Sequence, residues 1–124
     1  MRGMVLALGA ALITSGASHA RAQDAEAGQK AFNKCRACHV VDQEQNRVGP
    51  HLVGLFGREA GAVEDYSYSA AMKESGITWD DETIAAYVAD PKGYIPGNKM
   101  AFVGLKDDEE IQDLIAYLHE ATGS

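Results

Sequence analysis

Near the end of the chain, apolar residues fall at Ile111, Leu114, Ile115 and Leu118. Spacings of three and four place them on one face of a helix. The pattern predicts a helix over 107–122. Asp107 and Glu110 have the spacing of a capping box at its start, and Gly123 can end it. Residues 24–34 predict a shorter amphipathic helix, with Gly28 and Phe32 one turn apart. Residues 80–89 predict a third, entered through Asp80-Asp81-Glu82, an acidic turn that suits a helix N-terminus. Pro91 after Asp90 ends it, because proline lacks an N–H and restricts the residue before it. A short helix over 69–75 stops at Gly76. From His39 to Arg58 neither the helical nor the strand period holds, so this stretch reads as a long irregular loop. The chain is expected to be all-α.

The first 22 residues have another pattern. Arg2 gives a positive start, Met4 to Ala17 is small or apolar throughout, and Ala20-Arg21-Ala22 is a small-x-small cleavage site. That is the layout of a secretory signal peptide. The apolar run is shorter than the roughly 20 residues that span a bilayer, which disfavours an uncleaved anchor. Cleavage after Ala22, with Ala20 as the second choice, leaves one domain over 23–124 and places it in the periplasm. All 18 acidic residues lie in that domain, and the whole chain carries a net charge of −7. Nucleic acid is an unsuitable partner for such a balance, since phosphate binding needs basic patches. A domain this small is marginal unless something adds to its core.

The only two cysteines stand in Cys35-Arg36-Ala37-Cys38-His39. A disulfide here closes too small a loop to restrain the unfolded chain much. A redox dithiol belongs between a strand and a helix, and no alternating run precedes these residues. A structural zinc site needs four ligands, and His19, His51 and His119 are isolated from one another. The remaining reading is covalent haem, for which Cys-x-x-Cys-His is the attachment motif. One helical turn lets Cys35 and Cys38 reach two vinyl groups as thioethers while His39 points at the iron.

The opposite ligand decides between electron transfer and chemistry. Of four methionines, two lie in the leader, leaving Met72 and Met100. Met100 follows Asp90-Pro91 and the tight turn Pro96-Gly97, a rigid setting for one side chain. A thioether is a soft, uncharged donor that blocks the site and raises the potential. Phe102 is placed to keep water out. Met72 reads as core filler. An open sixth position would instead mean a haem enzyme or gas sensor.

Five blocks in this order, GQKAFNKCRACH, VGPHLVGLFGR, YSYSAAMKESGITW, DPKGYIPGNKM and DLIAYL, run through nearly all of the chain after the leader. The chain resembles the class I c-type cytochromes, in the branch of bacterial cytochrome c2 and mitochondrial cytochrome c. The resemblance implies three main helices plus short helices and long loops around one covalent haem c per chain, with His39 and Met100 as axial ligands. It implies that the first and last helices cross near Gly28 and Tyr117. Pro50 would accept the His39 ring N–H, and Arg58, Tyr68 and Trp79 would lie near the haem propionates. Tyr87 would place its hydroxyl near the axial methionine. Two positions depart from the family. Met72 stands where a polar Asn is usual, which makes the pocket drier, and Asn98 replaces a Thr beside a propionate. The resemblance also implies a monomeric electron carrier rather than an enzyme. Its donor would be a quinol–cytochrome c oxidoreductase, and its acceptor a terminal cytochrome c oxidase or a photosynthetic reaction centre. Lys30, Lys34, Arg47, Lys92, Lys99 and Lys106 fall at or near positions that ring the haem edge and meet acidic partners.

Overall fold

The computed structural model describes Gly3, Gly9 and residues 23–123. The leader assigned to 1–22 therefore lies, apart from two glycines, outside the described residues. Five helices follow in order: α1 (Ala25–Phe32), α2 (Ala70–Lys73), α3 (Asp81–Ala89), α4 (Pro91–Tyr94) and α5 (Asp108–Ala121). Among the described residues there is no strand, only an isolated antiparallel bridge between Glu59 and Thr78. None of the helices is long and apolar enough to cross a membrane.

The frame is the crossing of α1 and α5. A Cβ on Gly28 would run into the backbone carbonyl of Asp113 and lie 2.8 Å from Tyr117 Cβ. Only glycine lets the two backbones come this close. The crossing buries Ala31 and Phe32 from α1 and Ile111, Leu114, Ile115 and Leu118 from α5. Each of the larger side chains contributes about 1.5–3 kcal/mol of burial. Asp24 caps α1 by accepting from the N–H groups of Glu26 and Ala27, and its own N–H donates to Asp113 Oδ1 at 2.9 Å. Gly123, at φ 83°, follows the end of α5.

Three local details differ from the sequence pattern. Asp107 caps α5 through the Glu109 N–H at 2.9 Å, but Glu110 does not complete the box. Its carboxylate pairs instead with Lys34 Nζ at 2.8 Å. The reciprocal box is at α3, where Asp80 accepts from the Thr83 N–H and Thr83 Oγ1 accepts from the Asp80 N–H. Pro91 does end α3, but it also opens α4 as its first residue, where a missing N–H costs nothing.

Candidate functional site

A cavity opens between the helical frame and the loops. Its wall takes Leu114 and Leu118 from α5, Ile84, Tyr87 and Val88 from α3, and residues from the segments before and after them. Cys35, Cys38, His39, Pro50, Arg58, Tyr68, Met72, Trp79, Tyr87 and Met100 all line it. So do Lys34 and Lys99. Asn98, Lys30, Arg47, Lys92 and Lys106 do not.

The two cysteines leave α1 through a series of turns. Cys35 and Arg36 donate to Phe32 O, and Cys38 and His39 both donate to Cys35 O at 3.0 Å. No disulfide joins the two cysteines. Burial, with help from Cys38, pushes the Cys35 thiol up to about 11. The turn presents His39 to Pro50, whose carbonyl accepts the Nδ1–H at 2.7 Å. A carbonyl can only accept, so Nδ1 carries the proton and Nε2 the lone pair. Burial pulls the His39 pKa below its ordinary value and outweighs the Pro50 bond, which favours the charged ring; Arg58 lowers it further. The ring is neutral, as a metal donor must be. Gly49 makes the approach possible, since a Cβ there would strike the His39 ring.

Met100 is held by its neighbours. The Asn98 N–H donates to Ile95 O at 3.2 Å, and Gly97 sits at φ 89°, a turn with Pro96 and Gly97 at its corners. Asn98 Oδ1 accepts the Met100 N–H at 2.8 Å, while Nδ2 donates to Pro91 O and Ile95 O at 2.7 and 2.8 Å. Asn98 therefore braces the methionine segment against α4 rather than reaching the cavity. Beyond Met100, Leu105 donates to Val88 O, and Gly104 at φ 118° passes too close to Ala89 O for any side chain.

Arg58 and Trp79 arrive together. Gly57 donates to Trp79 O at 2.7 Å and Trp79 to Arg58 O at 2.8 Å. Arg58 Nη1 donates to His51 O and Val53 O, but its Nε is buried without a hydrogen-bond partner. A buried guanidinium N–H left so is costly unless an acceptor fills the cavity beside it. Tyr68 Oη accepts the Val63 N–H at 3.2 Å, which leaves its own proton to donate. Burial raises its pKa despite that bond. An apolar wall, two thiols, a neutral imidazole, a thioether and an orphaned guanidinium donor fit haem with its propionates.

Half of the expected surface cations are engaged internally. Lys34 pairs with Glu110, Lys99 Nζ donates to Ser67 O at 3.1 Å, and Lys106 Nζ donates to Ala89 O at 2.8 Å. Tyr66, which no motif marks as a site residue, also lines the cavity. The alternation in Tyr66-Ser67-Tyr68-Ser69 is the signal that pairs it with Tyr68 on one face of an extended segment.

Comparison with known proteins agrees with this geometry. Residues 25–122 match the Cytochrome c family. The chain is 45% identical over 116 residues to cytochrome c2 of Blastochloris viridis, covering 93% of this chain and 91% of that one. It is 52% identical over 98 residues to cytochrome c-550 of Nitrobacter winogradskyi, covering 78% and 90%. The solved structure of cytochrome cH from Methylobacterium extorquens superposes with a TM-score of 0.74 at 47% identity, over 78% of this chain and 98% of that one.

Proposed function

Because the chain belongs to the cytochrome c family, and is thereby a monohaem electron carrier with covalently attached haem c, we propose that it shuttles single electrons in the periplasm. Its donor is a quinol–cytochrome c oxidoreductase and its acceptor a terminal oxidase or a photosynthetic reaction centre. Haem, when bound, supplies the one-electron couple of its iron. Cys35 and Cys38 would hold it as thioethers and His39 and Met100 would supply the iron's two protein ligands, with Pro50 fixing the tautomer of His39. Arg58 Nε, Tyr68 and Trp79 would face the propionates, and Tyr87 and Met72 line the same cavity as Met100.

The observation that carries this reading is the wall of one cavity holding both a neutral His39, with Nδ1 fixed on Pro50, and Met100 on a braced loop. Two such ligands would leave a bound iron no open position, and the apolar lining of the cavity would keep water away from it. Little then rearranges when the electron comes or goes. Residues 1–22 serve as the export leader on this reading, and the carrier acts as a monomer. With Lys34, Lys99 and Lys106 engaged internally, Lys30, Arg47 and Lys92 are left as the freer cations for steering partners.

Optical spectra of the purified protein test the site. A low-spin ferric form with a far-red sulfur–iron band, and no response of the reduced form to carbon monoxide, is the expected result. The Met100→Ala variant should lose the band and admit carbon monoxide. A native protein that binds carbon monoxide at once would mean an open iron and would sink the carrier mechanism. The mass of the mature chain checks cleavage after Ala22.

A further inference from the structure

The segment 40–51 carries Pro50 to His39, and four backbone bonds tie it within itself and to its flanks: Leu52 donates to Val40 O, Gly49 to Cys38 O, Arg47 to Gly49 O, and Gln45 to Gln43 O. Facing it is the segment 59–69. Among the described residues, no backbone–backbone hydrogen bond joins the two segments. Two side chains do. Tyr66 Oη donates to Val48 O at 2.6 Å, and Asn46 Nδ2 donates to Glu64 O at 3.3 Å. Asn46 Oδ1 also accepts the His51 N–H at 3.0 Å, so one amide spans both sides of Pro50.

The position of these bonds matters. Val48 immediately precedes Gly49, which packs against the His39 ring too closely for a Cβ, and Pro50 follows with the acceptor carbonyl. Tyr66 holds the chain two residues before that carbonyl and Asn46 one residue after it. Tyr66 is itself well supported. Asp65 turns the chain at φ 60°, a left-handed conformation that Asp tolerates better than most residues. The Tyr66 ring then meets Tyr68 edge-on, with centroids 4.8 Å apart.

We propose that Tyr66 and Asn46 are positioning residues for His39: by clasping 40–51 to 59–69 they fix the Pro50 carbonyl on the ring N–H and so set how strongly His39 donates. The inference rests on His39 being the axial ligand. A firmer acceptor makes the ring a stronger donor and favours ferric iron, so loosening it raises the reduction potential.

The test uses the haem-loaded protein and its Tyr66→Phe variant, which removes one oxygen. Solvent exchange of the His39 Nδ1 proton, followed by NMR, is expected to quicken about tenfold, the loss of roughly one hydrogen bond's restraint. The potential is expected to rise. Asn46→Ala removes the other clasp and should move both readouts the same way. His119→Leu, which removes the pair with Asp81 and the stacking on Phe56, serves as a control that lowers stability without removing either clasp bond. Unchanged exchange and potential in Tyr66→Phe and Asn46→Ala, whatever their melting temperatures, overturn the proposal. A wild-type protein whose His39 ring protons show no shift from the iron refutes the axial reading, and the clasp with it.

Discussion

The α1–α5 crossing and the loop pair 40–51 and 59–69 are built by different means. In the crossing, period, caps and one glycine agree, and the contact is backbone against backbone at Gly28 and Asp113. Between the two loops no backbone–backbone hydrogen bond is made among the described residues, and tyrosine, asparagine and arginine side chains hold the chain on carbonyls. The crossing is a surface that must not change. The loops form a mould around the cavity, and their bonds converge on the carbonyl that meets His39. A rigid frame with a side-chain-braced mould lets the pocket be tuned one residue at a time without disturbing the fold.

The frame is the place to break the contrast most severely. Gly28→Val forces its side chain into the Asp113 carbonyl, where nothing flexible can move aside. Overpacking of this kind costs about 3 kcal/mol or more, read as a lower denaturant midpoint for the haem-loaded protein. A change below 1 kcal/mol, within the range expected of unexceptional surface substitutions, would mean that the helices part easily and that the crossing is not rigid.

The mould should respond instead to pH. Burial, and to a lesser degree Tyr66, pushes the Tyr87 hydroxyl up to about 12. The folded state keeps this proton after the unfolded chain, titrating near 10, has lost it. Its contribution is therefore complete below pH 10 and is lost as pH rises towards 12, a fall of about 2 to 3 kcal/mol. Tyr87→Phe should lack that fall, so the wild-type curve drops relative to the variant's between pH 10 and 12. Parallel curves would show that the hydroxyl is hydrated in the folded protein.

The smallest effect is expected where frame and mould meet at the surface. Lys34 and Glu110 join the segment before the cysteines to the first turn of α5, with side chains 54% and 30% exposed. Lys34→Gln should cost less than about 1 kcal/mol and should cost nothing measurable in high salt. A larger loss that survives salt would show that the pair does more than close the rim.

The amino-acid sequence determined the parts of this molecule that depend on short-range physics. Cys35, Cys38 and His39 lie on successive turns, so their spacing alone brings them together. The helix face Ile111, Leu114, Ile115, Leu118 follows from the helical period, and Gly123 from its freedom at positive φ. Even a local rule failed where two partners competed: Glu110 has the spacing to cap α5, but Lys34 offers its carboxylate a charge. Tertiary structure alone decided the rest. Asn98 reads as a pocket residue until its amide is seen on Pro91 and Ile95. The alternation of Tyr66 with Tyr68 gives its face, but its partner is decided only when Val48 O lies 2.6 Å from its hydroxyl. Lys99 and Lys106 read as free charges until they end on backbone carbonyls. In each case a polar side chain chooses among several groups within reach, and that choice depends on which carbonyls the fold leaves unpaired. A hydrophobic pattern records burial, but it carries no record of which backbone acceptors remain when distant segments have met.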